Sequence, residues 1–161
     1  MTVSSYYFAF AEKIYAFLEP YLRIFERKRT NEHAVHGSHV YDVLVFGNHR
    51  AGRSIIDTLQ KNKKSFLVVD FDPKVIRSLE QDGIPCLYGD AGDIENFEDI
   101  VFSKVKMAVS TIQNFDTNMM ILKFLKQSNP ASVVILHARV TQEAIALYDA
   151  GADYVLVPHV I

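Results

Sequence analysis

Cysteine is nearly missing from this chain of 161 residues, tryptophan is missing altogether, and neither sign of charge prevails. Cys86 is the only thiol, so neither an internal disulfide nor a cysteine-based zinc site can form. Lys and Arg number 17 against 19 Asp and Glu, a formal net charge of −2, whereas a surface that tracks nucleic acid carries a basic excess. No uninterrupted apolar run reaches the roughly 18 residues that mark a membrane-crossing helix. The sequence also lacks G-x-S-x-G, H-E-x-x-H, a complete P-loop and a paired-carboxylate pattern, so catalysis has no visible address. These absences exclude disulfide-stapled knots, zinc modules and basic DNA readers. What remains, 49% apolar and 22% charged residues, is the composition of one ordinary globular domain.

The aromatic residues are unevenly spread. Of the eight tyrosines and eleven phenylalanines, Tyr6, Tyr7, Phe8, Phe10, Tyr15, Phe17, Tyr21 and Phe25 fall near the start. Tyr7, Phe10, Ile14, Phe17, Tyr21 and Ile24 recur at helical spacing, so residues 1–29 are expected to form an amphipathic helix. Arg23, Arg27, Lys28 and Arg29 give that helix a basic end. Such a helix lies on a membrane surface, docks on a partner helix or packs on its own domain. It lacks the basic start and small-residue cleavage site of a secretory signal. Residues 30–39 are polar, contain Gly37 and show no apolar periodicity, which reads as a linker. The evenly spaced His33, His36 and His39 fall in that linker, and no metal site is expected from them.

From Val40 onward, short apolar runs alternate with amphipathic segments. Strands are predicted at Asp42–Phe46, Ser65–Asp70, Pro85–Tyr88, Lys106–Thr111, Ser132–Ala138 and Asp153–Val157. Helices are predicted at Ala51–Lys61, Pro73–Asp82, Ile94–Ile100, Phe115–Gln127 and Thr141–Ala150, with Gly83, Pro130 and Gly151 as stop signals. Six strands alternating with five helices imply a Rossmann-like, doubly wound parallel sheet. Right-handed crossovers give it the order 3-2-1-4-5-6 over residues 40–161. Cys86 lies inside a predicted strand as a small core residue.

The first strand runs into Gly47-Asn48-His49-Arg50-Ala51-Gly52, a dinucleotide fingerprint with His49 in place of its middle glycine. Gly47 permits the tight turn, Gly52 allows close helix packing, and amides at the helix start can hold phosphate oxygens. The His49 imidazole or Arg50 can donate to phosphate where the backbone approach is crowded. An empty βα turn is the plain structural alternative. Asp70, 23 residues after Gly47, ends the second strand, where a carboxylate can accept both ribose hydroxyls and would repel a 2′-phosphate. Asp72 before Pro73 reads instead as a helix N-cap followed by proline at the first helical position. After the third strand, Asp90 sits at the ligand-binding edge, where its carboxylate can accept from an adenine amino group, and Asp93 is placed to cap the short helix. Ser110 and Thr111 end the fourth strand with hydroxyls in reach of ribose or phosphate. Arg139 ends the fifth and suits a phosphate or a charge-paired neighbour equally.

Several stretches together resemble one family. They are VFGNHRAG at Val45–Gly52, LVVDFDP at Leu67–Pro73, GIPCLYGDAGD at Gly83–Asp93, Val109–Thr111 with Asn118, and GADYVLVP at Gly151–Pro158. In these, residues 40–159 resemble the nucleotide-binding lobe of RCK domains, the regulators of potassium conductance, also called TrkA-N domains. The G-x-H-R-x-G variant, Ser110-Thr111-Ile112 and Pro158-His159 look most like the domain attached to bacterial monovalent cation:proton antiporters. Ser4–Lys28 is similar to the segment leaving the last membrane helix of those antiporters.

The resemblance implies a cytoplasmic regulatory piece of a transporter, on the inner face of the plasma membrane and itself soluble or peripheral. It would begin just after the membrane domain and stop before a crossover helix that swaps between subunits. It further implies a homodimer through the fourth and fifth helices, with Met119, Met120, Leu122 and Leu125 as candidate contacts. The implied ligand is an adenine nucleotide (AMP, ADP, ATP or NAD(H)) that gates a potassium or sodium/proton antiporter; no metal and no nucleic acid are expected. Residues and resemblance together assign the ligand to Gly47, Asn48, His49, Arg50, Ala51, Gly52, Asp70, Phe71, Asp90, Ala91, Ser110, Thr111, Ile112 and Arg139. A ligand sensor, not an enzyme, is therefore expected. A small NAD-dependent oxidoreductase and a nucleotide-free dimerisation scaffold are the rival readings.

Overall fold

The computed structural model describes residues 40–48 and 50–157. The expected helix over 1–29, the linker over 30–39, His49 and Pro158-His159 lie outside the described residues. Six strands form one parallel sheet: β1 (Val43–Phe46), β2 (Phe66–Asp70), β3 (Cys86–Tyr88), β4 (Met107–Ser110), β5 (Val133–His137) and β6 (Tyr154–Leu156). Their order is β3-β2-β1-β4-β5-β6, as the alternation predicts. Four helices connect them: α1 (Arg50–Lys61), α2 (Pro73–Gln81), α3 (Phe115–Ser128) and α4 (Thr141–Asp149).

The central strands β1 and β2 are apolar on both faces, because helices cover both sides of a parallel sheet. On one face α1 and α2 bury Ile56 and Leu79 against Val43, Val45, Phe66 and Val68. On the other, α3 and α4 bury Ile121, Leu122, Leu125 and Leu147 against Leu44, Phe46, Val134 and Leu136. Thus β1-α1-β2-α2-β3 and β4-α3-β5-α4-β6 are two copies of one winding, their helices on opposite faces.

One predicted element differs. The segment expected as a helix over Ile94–Ile100 is instead two 3-10 turns, Ala91–Asn96 and Phe102–Lys104. Gly92, Asp93 and Asn96 are poor helix formers, and Asp93 leaves helical geometry at φ −103°, ψ 33°. The N-cap is Asp90, not Asp93: its Oδ1 accepts from the Gly92 amide at 2.8 Å. What fixes this crossover is burial of Ala91, Ile94, Ile100 and Phe102 beneath the sheet.

The helix stops follow a common design. After α2, the Gly83 amide donates to Glu80 O (3.0 Å) and Ile84 to Leu79 O (2.9 Å). After α4, Gly151 donates to Tyr148 O and Ala152 to Leu147 O. Each is a paired 5→2 and 6→1 closure that needs a left-handed residue, and φ is +67° at Gly83 and +101° at Gly151. The stop after α1 has the same bonds, Lys63 to Gln60 O and Lys64 to Leu59 O, but here the left-handed residue is a lysine, φ +49°. The Lys126 ammonium meets Asp153 at 2.8 Å, tying the end of α3 to the start of β6. Burial pushes the Asp153 carboxyl up, but bonds from Lys126 and the Val134 amide outweigh it and hold it below the usual range.

Candidate functional site

All six strands point their C-terminal ends to one edge, and helices α1 to α4 begin there. In doubly wound sheets that edge holds ligands where the strand order reverses, here between β1 and β4. A cavity of about 570 Å³ opens at this reversal, lined by Gly47, Val69, Asp70, Phe71, Gly89, Asp90, Ala91, Thr111, Ile112, Gln113, Asn114 and Thr117. Its size lies within the roughly 300–1,000 Å³ of small-molecule sites.

The glycine turn is built by contacts within the protein. Gly47, at φ +84°, donates to Val69 O at 2.9 Å, and a Cβ there would stand 2.8 Å from the Thr111 hydroxyl. A Cβ on Gly52 would overlap the Gly47 carbonyl oxygen, so α1 comes this close to the turn only because residue 52 is glycine. The Thr111 hydroxyl donates to the Gly47 and Phe46 carbonyls at 3.1 and 3.3 Å, locking the ends of β1 and β4 together.

Asp70 is buried, and its two carboxylate oxygens accept from the amides of Asn48 (2.8 Å) and Asp72 (2.9 Å). It therefore clamps the glycine turn to the end of β2. Each oxygen keeps a second lone pair, so the carboxylate can still accept from a hydroxyl. Asp72 caps α2 by accepting from the Lys74 amide at 2.8 Å, with Pro73 at the first helical position, as predicted. Asp90 is exposed on the cavity's opposite flank with only Oδ1 engaged. Phe71 stands 65% exposed at the rim.

Seven of the predicted residues meet at the cavity: Gly47, Asp70, Phe71, Asp90, Ala91, Thr111 and Ile112. Others are placed elsewhere. The Ser110 side chain is wholly buried; its hydroxyl donates to Asn118 Oδ1 at 2.6 Å and accepts from the Ile112 amide, so it faces the core and not a ribose. Arg139 pairs with Glu143 (3.0 Å), whose other oxygen takes the Arg139 amide at 2.9 Å, so of its two predicted partners the structure shows the charged neighbour. Those bonds hold the Glu143 carboxyl below its usual range. Asn48 and Ala51 shape the turn but do not line the cavity, nor does Gly52, and of Arg50 only the backbone is described.

Val69, Gly89, Gln113, Asn114 and Thr117 line the cavity without being expected from the sequence. Gly89 is legible in principle: it stands within GDAGD, and a Cβ there would strike the Phe97 ring. Asn118 is the main structural residue that sequence reasoning leaves unexplained. Fully buried, it donates to the Ile112 and His137 carbonyls at 2.8 Å each and accepts from Ser110, joining the ends of β4 and β5. Burial pushes the His137 imidazole below the usual histidine range, against the opposing pull of Glu143. It raises the Cys86 thiol to about 11, with Glu80 adding to the effect, so little of it ionises near neutral pH. Among the described residues no group of His, Cys, Asp and Glu is placed to hold a metal ion. Nor is any described helix long and apolar enough to cross a membrane.

Residues 43–158 match the TrkA-N domain. The chain belongs to the TrkA-N domain family. Among full-length relatives, it is 27% identical over 111 residues to the glutathione-regulated potassium-efflux system protein KefC of Escherichia coli O157:H7. That match covers 69% of this TrkA-N chain and 18% of KefC, so the chain spans less than a fifth of the relative's length. In structure it is similar to the Shewanella denitrificans Kef C-terminal domain in its AMP-bound form, with a TM-score of 0.61 at 18% identity, covering 72% of this chain and 70% of that one. It is also similar to the GsuK channel bound to NAD, TM-score 0.64 at 17% identity, covering 98% of this chain and 31% of that one. At these identities the two structures speak to the fold of the TrkA-N chain.

Proposed function

We propose that this TrkA-N domain is a ligand sensor that binds an adenine nucleotide (AMP, ADP, ATP or NAD(H)) and gates a potassium or sodium/proton antiporter, and that it is not an enzyme. The observation that carries this is the cavity at the β1/β4 reversal. Val69, Phe71 and Ile112 give it apolar walls for a base, Asp70 and Asp90 flank it with acceptors, and Gly47, at the head of the turn into α1, lines it. In this reading ribose hydroxyls donate to the free lone pairs of Asp70, adenine donates to Asp90 against Phe71, and phosphates lie over the turn from Gly47 to Gly52. The first amides of α1 have no partner within the helix and favour negative charge. That an AMP-bound Kef C-terminal domain and an NAD-bound GsuK channel are similar to this fold supports the ligand class.

Gating follows if the ligand has unequal affinity for two arrangements of a homodimer, since a ligand of equal affinity shifts nothing. The dimer would form through α3 and α4. Of the four candidate contacts, Leu122 and Leu125 are core and Met119 packs against the core, which leaves Met120; Ile145 and Tyr148 on α4 join it as exposed apolar residues. The transporter would lie on the same polypeptide and the domain on the cytoplasmic face of the inner membrane, in line with the KefC match.

The test is thermal unfolding of the full chain with AMP, ADP, ATP, NAD and NADH, repeated on Phe71→Ala. Phe71 is the better probe because Asp70 also holds the turn together. Ligand at 100 times its dissociation constant stabilises by about 2.7 kcal/mol, a rise of roughly 5–10 °C for a domain of this size. A rise with one nucleotide that shrinks in Phe71→Ala supports the reading. No rise with any of the five leaves the dimerisation scaffold, and turnover of NADH with a test substrate replaces the sensor with an oxidoreductase.

A further inference from the structure

The edge of the sheet opposite the cavity carries a different chemistry, and the described chain enters there. Its loops follow the strand order, so the Lys63-Lys64-Ser65 turn before β2 and the Lys104-Val105-Lys106 segment before β4 flank Val40-Tyr41-Asp42 on either side. The Asp42 amide donates to Ser65 O at 3.0 Å, the Lys106 amide donates to Asp42 O at 2.9 Å, and the Ser65 hydroxyl donates to Val40 O at 3.3 Å. Lys61, Lys63, Lys64 and Lys104 are exposed, and among the described residues none of them has a carboxylate partner. Lys106 pairs with Asp42. Glu80 and Asp82 at the end of α2, and Asp149 and Asp153 beside β6, lie toward the outer strands β3 and β6. The middle of the edge presents these four lysines without a carboxylate partner among the described residues, while the cavity edge carries Asp70, Asp72, Asp90, Asp93 and Asp116 beside Arg139.

Two further observations mark the lysines as a surface and not scattered charge. A depression of about 390 Å³ lies beside Lys63 and Lys64, lined with them by Tyr41, Gln60, Ser65, Phe66 and Pro85. And Lys63 occupies a left-handed position that the matching stops after α2 and α4 give to glycine, so a charged side chain stands where glycine would be less strained.

We infer that this lysine edge is a docking surface for an anionic membrane. Phosphodiester headgroups would lie against Lys61, Lys63, Lys64 and Lys104, and the cavity would face away from the bilayer. Clusters of four to eight Lys and Arg next to a membrane-proximal segment bind anionic lipid at about 1 kcal/mol each, about fivefold per lysine. The inference goes beyond nucleotide sensing and needs no nucleotide, so the two are decided by separate experiments.

The test is sedimentation of the full chain with vesicles of mixed phosphatidylglycerol and phosphatidylcholine, and with phosphatidylcholine alone. The wild type is expected to bind the anionic vesicles and to be released by salt. Lys63→Gln/Lys64→Gln/Lys104→Gln should bind on the order of 100-fold more weakly. Lys74→Gln/Arg77→Gln/Lys123→Gln removes the same charge from exposed positions elsewhere and should bind like wild type. Thermal unfolding checks each variant, and Lys61→Gln/Lys104→Gln, expected to lose about 25-fold, substitutes if the first triple fails to fold. Equal binding to both vesicle types, undiminished binding of the lysine-edge variants, or an equal loss in the control triple would each overturn the inference.

Discussion

The two windings of the sheet share a topology and divide the work between them. In the first, α1 and α2 turn polar surfaces outward and expose no large apolar residue, and their strands supply the glycine turn, Asp70 and Asp90. In the second, α3 and α4 expose Met120, Ile145 and Tyr148, and the strand ends close on themselves through Asn118, Ser110 and the Arg139–Glu143 pair. The cavity takes its carboxylates from the first half and Thr111, Ile112, Gln113, Asn114 and Thr117 from the second, whose helices also leave apolar side chains outside. A repeated winding thus fixes where a strand ends, and the side chains at that end decide whether it opens a site or seals it.

The contrast breaks most sharply at Gly52. Because a Cβ there overlaps a backbone oxygen that cannot step aside, Gly52→Ala should destabilise the fold by about 4 kcal/mol, measured as a fall in the denaturant midpoint. The second half has its counterpart in Asn118, which closes the ends of β4 and β5 on each other. Replacing it with alanine strands a buried hydroxyl and two carbonyls, for an expected loss of about 2–3 kcal/mol. If Asn118→Ala were neutral, the second half would owe its closure to packing alone.

How far these roles are legible in the sequence depends on the range of the interaction behind them. The alternation of apolar runs leads to the strand order, because crossover handedness leaves few topologies. Asp72-Pro73, Gly83 and Gly151 can be read directly, since a cap or a stop is decided within a few residues of itself. The crossover after β3 misleads because Ile94 and Ile100 are apolar for tertiary reasons, while the local Gly92, Asp93 and Asn96 oppose an α-helix. Ser110 and Arg139 are predictable as to edge but not as to direction. Which way a strand-end side chain turns is set by Glu143, four residues after Arg139, and by Asn118 on the next helix, whose partners lie on two different strand ends. Asp70 is legible as an acid at a β2 terminus, whereas its hold on the Asn48 amide appears only once two strands lie side by side.

The outward faces distinguish the halves at a smaller energy. Ile145→Glu should leave monomer stability within about 0.5 kcal/mol, since the residue is 54% exposed. If α3 and α4 form the dimer, the same change should shift sedimentation toward monomer at concentrations where wild type associates. Arg53→Glu on the exposed face of α1 should not. Equal effects from both would remove the distinction between a solvated half and a docking half.

The last comparison concerns the helix stops, where the two halves ought to agree and one lysine departs. Gly83 and Gly151 occupy equivalent turns, both with positive φ and with open space where a Cβ would stand, so alanine at either should cost the same, about 1 kcal/mol of backbone strain. Lys63 already bears such a strain. Lys63→Gly should therefore gain up to about 1 kcal/mol, seen as a rise of roughly 2–4 °C in the unfolding midpoint. The gain should come with weaker binding to anionic vesicles, because strain and charge sit on the same residue. A loss of stability on Lys63→Gly would mean that the lysine stem packs along the apolar lining at Tyr41 and Phe66, and that the position is held for structure and not for its charge.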